Sequence, residues 1–356
     1  MEMTSATPLV LFGACDRHNL GDLLLAEVAA RRAAPRPCLF AGLRAADLRA
    51  VGGRAVAPIG ELIAQWPRRF GAAPLEVLHV GGEVLDTDAW EAAVMLLPAA
   101  EAASRIAALD RRPRARAAWA AEFLGCARRA PYVLAGDAGI ATAFRAVGGV
   151  GLAQRPPAFR REIAAALRAA RAVTVRDRAT QAALAAEGVA AGLEPDPVAQ
   201  AADLLAELVA GAPRAAGDYL AVQCAADFAD DATLAALAGV LDASGLPVRF
   251  FAAGLAPWHD DLALYRRLAA RLRVPAAVVG SAAVRDTCAL IAGARGCLAS
   301  SLHALLVAGA FAVPALGLAA RPGGAAKLWA YAATWGGFEV AAVAELAGRR
   351  LPLFRA

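Results

Sequence analysis

Gly296-Cys-Leu-Ala-Ser-Ser-Leu-His-Ala-Leu-Leu-Val-Ala-Gly-Ala-Phe-Ala-Val-Pro-Ala-Leu-Gly-Leu-Ala-Ala320 is the longest uncharged stretch of the chain. As one helix it would be long enough to span a bilayer. Ser300, Ser301, His303 and Pro314 inside it argue instead for buried α/β structure. Gly296–Ala299 reads as a short strand, the residues from Leu302 as a buried helix, and 315–318 as a second buried strand.

The same alternation of short apolar runs with Ala/Leu-rich segments of helical length recurs on both sides, the signature of parallel βα units. Towards the N-terminus, strands are predicted over 9–14, 37–41, 77–80, 132–135 and 172–175. Towards the C-terminus they are predicted over 219–223, 248–252 and 277–279, with helices such as 232–243 and 261–272 between them. The predicted fold class is α/β, two doubly wound Rossmann-like domains facing a cleft, similar to the arrangement called GT-B. Residues 1–200 form the first domain, 215–340 the second, and 341–356 a C-terminal tail. Pro and Gly between 194 and 217, in Glu194-Pro-Asp-Pro197 and Gly211-Ala-Pro213, mark the hinge. In such sheets ligands bind at the carboxyl ends of strands, so chemistry is sought there.

Composition narrows the function classes. The chain has 356 residues, enough for two cores. Its mean hydropathy of +0.48 comes largely from alanine. A net charge of +5 would suit an acidic partner, but the arginines are interleaved with Asp and Glu. The basic runs lack interleaved aromatics and no reader motif occurs, so no nucleic-acid partner is expected. The densest basic stretches, 111–116 and Arg128-Arg129, read as a solvated face or a contact with anionic lipid. Six cysteines without a C-x-x-C pair point to a reducing compartment, with no zinc site and no disulfide scaffold. Leu11-Phe-Gly-Ala-Cys15 imitates a lipoprotein cleavage site, but Glu2 and the lack of a preceding basic residue spoil it.

Four loops carry candidate chemistry. Asn19 is the chain's only asparagine and stands in Cys15-Asp-Arg-His-Asn-Leu-Gly-Asp22, where a strand gives way to a helix. A helix starting near Gly21 would present free amides to a ligand, while Asn19 or Asp22 serving as a plain cap is the alternative. His79-Val-Gly-Gly-Glu83 offers close backbone approach at Gly81 and Gly82 and a carboxylate at Glu83, with a tight turn and a solvent carboxylate as the alternative. Val175-Arg176-Asp177 places Arg176 for bidentate capture of an anion and Asp177 to cap the next helix, with a structural ion pair competing for Arg176. Ser301-Leu-His303 puts an imidazole near helix-terminal amides, where it would hydrogen-bond a phosphate or act as a general acid, with a satisfied core histidine as the competing reading of an apolar run. Lys327, the only lysine, lies after the last strand-like run.

These loops, in this order, resemble the polysaccharide pyruvyl transferase family. The matching elements are Asn19-Leu-Gly-Asp22, Val80-Gly-Gly-Glu83, Val175-Arg-Asp177, Gly188-Val189, Pro195-Asp-Pro197, Ser301-Leu-His-Ala-Leu305, Val313-Pro314 and Lys327. The resemblance implies a two-domain enzyme that transfers a pyruvyl group from phosphoenolpyruvate to a saccharide as a ketal. Phosphoenolpyruvate is the donor substrate, and no cofactor or metal is implied. His303 and Arg176 carry over as the catalytic pair. Ser301, Arg295, Arg321 and Lys327 fall on the donor side, in the C-terminal half. Asn19, Gly21, Asp22, Gly81, Gly82 and Glu83 fall on the acceptor side. Ser301 departs from the family's usual arginine, and Glu83 from a common third glycine.

His303 is expected to protonate the methylene carbon, Arg176 and Lys327 to bind the anionic ends, and Asp22 or Glu83 to orient acceptor hydroxyls. The expected role is in bacterial envelope or exopolysaccharide biosynthesis, on a saccharide acceptor that is free or lipid-linked. The expected place is the cytoplasm, with peripheral contact at the inner membrane face. A nucleotide-sugar glycosyltransferase of the same plan and a non-catalytic saccharide-binding member are the alternatives.

Overall fold

The computed structural model describes residues 7–212 and 217–346. The chain divides into two compact units: residues 1–18 with 22–197, and residues 19–21 with 198–356. The expected boundary at 200–215 therefore moves to Pro197, and three residues of the Asn19 loop belong with the second half. Pro213, part of the expected hinge, lies outside the described residues.

The first unit contains β1 (Leu9–Phe12), α1 (Leu20–Ala33, whose opening residues belong to the other unit), β2 (Cys38–Gly42), β3 (Ala46–Asp47), β4 (Ala55–Pro58), α2 (Ile59–Phe70) and β5 (Leu75–His79). It continues with α3 (Ala89–Met95), α4 (Ala99–Leu109), α5 (Pro113–Leu124), β6 (Ile140–Val147), α6 (Pro157–Arg168), β7 (Ala172–Val175), α7 (Arg178–Ala186) and β8 (Gly192–Leu193). Its sheet has the order β3-β4-β2-β1-β5-β6-β7-β8. Only the β3–β4 pair is antiparallel. Parallel strands buried on both faces need near-continuous apolar sequence, which Leu9–Phe12 supplies.

The strand expected at 132–135 is not one. Tyr132, Val133 and Leu134 are buried, but as an irregular segment whose Leu134 N–H donates to His79 Nε2 at 3.0 Å. The strand is β6, where Thr142 and Arg145 interrupt the apolar pattern. Near its end the register with β7 shifts between Phe144 and Val147, and Ala146 takes a positive φ of 48°. The Ala146 N–H donates to Thr174 Oγ1 at 2.8 Å. This bulge re-aims the chain into Gly148-Gly-Val-Gly151.

The second unit contains α8 (Ala202–Val209), β9 (Leu220–Gln223), α9 (Asp231–Ala243), β10 (Val248–Phe250), α10 (Leu262–Ala269), β11 (Ala276–Val278), α11 (Val284–Ala292), β12 (Gly296–Ala299), α12 (Leu302–Ala310), β13 (Ala315–Ala319), α13 (Ala326–Trp335), β14 (Glu339–Ala342) and α14 (Val343–Leu346). Its sheet is parallel throughout, in the order β11-β10-β9-β12-β13-β14. The uncharged stretch is thus strand, helix, strand, and β12 is wholly buried. Residues 341–346, assigned to a tail from sequence, belong to this sheet and its cover, with Val343 and Leu346 in the core. The remainder of that tail, 347–356, lies outside the described residues.

No helix of the described residues is long and apolar enough to cross a membrane. Cys224, Cys288 and Cys297 are buried in the second unit and Cys15 in the first, while Cys38 and Cys126 are half-buried.

Candidate functional site

In the second unit, polar groups gather where β9, β10 and β12 end. Ser301 caps α12, its hydroxyl accepting from Ala304 N–H at 3.4 Å. The Ser301 N–H donates to Gln223 Oε1 at 2.8 Å, and Ser300 Oγ donates to the same oxygen at 3.3 Å. Gln223 Nε2 in turn donates to Asp260 Oδ1, while Asp260 Oδ2 accepts from the N–H groups of Ala253 and Gly254. Burial pushes the Asp260 carboxyl up to about 6, against the pull of these hydrogen bonds.

The Asn19 segment joins this network. The Leu20 N–H donates to Ala253 O at 2.6 Å, and Asn19 pairs antiparallel with Gly254. Asn19 Oδ1 accepts from Gly21 N–H at 2.9 Å, so its side chain serves as a cap at the start of α1. Gly21 lies directly against His303: a Cβ added there would stand 1.9 Å from His303 Nδ1. No side chain larger than hydrogen fits while the imidazole keeps this place. His303 is 8% exposed, at the second position of α12.

Arg321 and Lys327 follow β13, which pairs in parallel with β12, so both leave the same sheet edge as Ser301 and His303. Both are exposed, and Lys327 sits in the first turn of α13. Arg295 is elsewhere. It precedes β12 and pairs with Asp218 at 2.9 Å. The extended chain from Arg295 to Ser301 spans roughly 20 Å. Its expected place on the donor side is thus corrected by the direction of the strand.

In the first unit, Arg176 is buried at the end of β7 and paired with two carboxylates, Glu83 and, at 3.0 Å, Asp196. Burial alone would lower the guanidinium's pKa; the two carboxylates reverse that and hold it charged. The trio carries a formal charge of −1, so Arg176 meets carboxylates of its own chain where an anion clamp was expected. The competing structural ion pair is what forms. Asp177 caps α7 as expected, accepting from Thr180 N–H at 2.7 Å.

The Gly148-Gly-Val-Gly151 loop, which sequence reasoning missed, wraps this cluster. The Val150 N–H donates to Glu83 Oε2 at 2.9 Å and the Gly151 N–H to Asp86 Oδ2 at 2.7 Å. A Cβ on Gly148 would meet Glu83 Oε1 at 2.6 Å, so close approach explains that glycine. Burial, then the neighbouring Glu83, raises the Asp86 carboxyl to about 7. Asp22 accepts from Gly82 N–H at 3.3 Å and faces Arg17 at 3.7 Å; Arg17 also donates to Tyr132 Oη at 2.7 Å. Three glycines after a strand were the available signal for the loop. Asp196 was visible in Pro195-Asp-Pro197, but nothing local named its partner. Among the described residues no group of His, Cys, Asp and Glu could hold a metal ion.

Two parallel α/β domains with polar loops at their strand ends make a fold of the GT-B-like class. The solved UDP-N-acetylglucosamine 2-epimerase from Rickettsia bellii aligns with a TM-score of 0.50 at 12% identity, over 87% of this chain and 78% of that one. The E. coli heptosyltransferase WaaC (TM-score 0.42, 13% identity, 94% and 93% covered) and a glycosyl transferase family 9 protein from Veillonella parvula (0.40, 12%, 97% and 88%) also align. Identities this low speak to fold alone. No protein of curated function matches the sequence. The family model for polysaccharide pyruvyl transferase matches residues 139–321, more than half of the chain, and the chain belongs to that family. The matched region contains Arg176, Asp196, Ser301 and His303; the Asn19 and Gly81 loops and Lys327 lie outside it.

Proposed function

We propose that the protein transfers a pyruvyl group from phosphoenolpyruvate to a saccharide, forming a cyclic ketal on two hydroxyls. The observation that carries this reading is the packing of His303 on Gly21, which brings two loops characteristic of the family, far apart in sequence, into contact. Arg321 and Lys327 lie on the edge that carries His303 and supply positive charge for a phosphate and a carboxylate. The carboxylates around Glu83 and Asp22 suit neutral hydroxyls rather than a second anion.

In the reaction, His303 delivers a proton to the methylene carbon, and positive charge develops at C2. Two saccharide hydroxyl oxygens bond to C2 in turn, and the C2–O bond to phosphate breaks. One hydroxyl proton replaces that given by His303 and the other leaves with inorganic phosphate. Arg176, engaged by Glu83 and Asp196, acts through them: it fixes Glu83, which the Val150 N–H also holds. Positioning and charge stabilisation supply most of the acceleration.

The test is saccharide-dependent release of phosphate from phosphoenolpyruvate, with a pyruvylated saccharide detected by mass. His303→Ala should lower kcat by about 100-fold or more at an unchanged melting temperature. Full activity in that variant would refute the assignment. One observation favours a second reading, saccharide binding without transfer. Ser301 stands where the family has arginine and spends its hydroxyl on capping α12, while Arg176 is held by carboxylates. Saccharide binding with no phosphate release under any condition would establish that reading.

A further inference from the structure

The loop between β10 and α10 contains a residue that its own fold does not favour. Ala256, Pro257, Trp258 and His259 form a turn closed by the His259 N–H donating to Ala256 O at 3.1 Å. Proline at the second position and a φ of 67° at Trp258 are the marks of a type II turn. The third position of such a turn calls for glycine or asparagine, because a bulky side chain on left-handed backbone crowds the neighbouring carbonyl. Trp258 takes that conformation and nevertheless leaves 47% of its surface exposed. Nearly half of the indole thus stays open to solvent on a strained backbone, and such strain collects at ligand sites.

The turn is rigidly presented. Its base is closed by the Asp260 N–H donating to Gly254 O at 3.0 Å, and the Ala226 N–H donates to His259 O at 2.8 Å. The Asp260 carboxylate clasps Ala253 and Gly254, the residues that hold Asn19 and Leu20 beside His303. Leu255, 44% exposed, flanks the indole in sequence. The loops over 224–231 and 252–261 carry Asp227, Asp230, Asp231, Asp260 and Asp261, against Arg267 and Arg271, which pair with Asp231. Five carboxylates against two arginines leave an excess of negative charge, which disfavours an occupant bearing phosphate or carboxylate, or an anionic lipid surface.

We propose that Trp258 is the stacking platform of a neutral saccharide subsite, taking the C–H face of a pyranose ring on its indole. An exposed aromatic on a loop with an excess of carboxylates fits a neutral sugar better than a nucleotide or phosphoenolpyruvate. The subsite deepens the transfer reading by adding a saccharide contact, and it rests on that reading only for sugar as the substrate.

The test compares the full-length protein with Trp258→Gly and Trp258→Phe, using calorimetry and intrinsic fluorescence with maltotriose, cellotriose, mannotriose and galactotriose as probes. Expected is binding to at least one probe with a shift in indole emission, weakened tenfold or more in Trp258→Gly and less than threefold in Trp258→Phe. Because glycine relieves the turn, the melting temperature of Trp258→Gly should equal or exceed that of the parent. Three results would overturn the proposal: no probe binds the parent, Trp258→Gly binds as the parent does, or Trp258→Gly melts several degrees lower. Phosphate release from phosphoenolpyruvate is measured separately. Trp258-dependent saccharide binding without any release would leave the subsite standing and remove the transfer reading.

Discussion

Ser301 and Gly21 show how much one atom decides at this edge of the second sheet. Ser301→Arg would place at the start of α12 the guanidinium that the family resemblance implies, while removing the hydroxyl that caps Ala304 N–H. On the transfer reading proposed above, it should lower the KM for phosphoenolpyruvate about tenfold or more, as a charge-assisted contact is worth roughly 1.5–3 kcal/mol, at a cost of about 1 kcal/mol in stability. Steady-state kinetics and chemical denaturation read the two effects; an unchanged KM would mean that the anion is bound by other groups. Gly21→Ala drives a methyl into the imidazole of His303 and should cost about 1–3 kcal/mol, together with a fall in kcat. At this scale the sequence was a partial guide. The rarity of Asn19 and the Ser-x-His pattern marked two loops that the fold brings together at Gly21 and His303. The pairing of Arg176 with Glu83 and Asp196 could not be read, because ion-pair partners are set by strand order in the sheet and leave no local trace.

Among the elements, β12, α12 and β13 were legible because an uncharged run interrupted by serine, histidine and proline has few ways to fold outside a membrane. β6 was not. Its Thr142 and Arg145 made it look less strand-like than Tyr132–Val133–Leu134, whose apolar side chains are buried without joining a ladder. The two-residue β3 and β8 are too short to leave a periodic signal. The bulge in β6 gives a test of its own. Ala146 holds a positive φ, so Ala146→Gly should stabilise the protein by up to about 1 kcal/mol. Thr174→Val, which removes the hydroxyl accepting from Ala146 N–H, should cost about 1–3 kcal/mol. Urea denaturation of both variants checks the sign; destabilisation by glycine would show that the bulge is not strained.

Over the whole molecule, buried titratable groups pull stability in opposite directions with pH. His79 is buried, and burial lowers its pKa to about 3, so its contribution is present above pH 6.5 and is lost as pH falls towards 3. Asp86, raised to about 7, and Asp260, raised to about 6, act with the other sign. Between pH 4 and those values the native state holds protons that the unfolded chain has released, so stability falls as pH rises through the window. Asp86→Asn keeps an oxygen for the Gly151 N–H and removes the titration. It should leave stability at pH 4 nearly unchanged and raise it by on the order of 1–3 kcal/mol at pH 8, measured by denaturation across pH. An equal offset at both pH values would mean that Asp86 does not hold its proton.

The buried cysteines make the chain its own reporter of opening. Burial pushes the thiols of Cys288 and Cys297 up to about 12, and that of Cys224 well above its ordinary value, so none offers thiolate to an alkylating reagent while the second core is closed. Iodoacetamide should mark Cys38 and Cys126 first. Each mass increment beyond those two then times the breathing of a particular core, without a probe having to be engineered in.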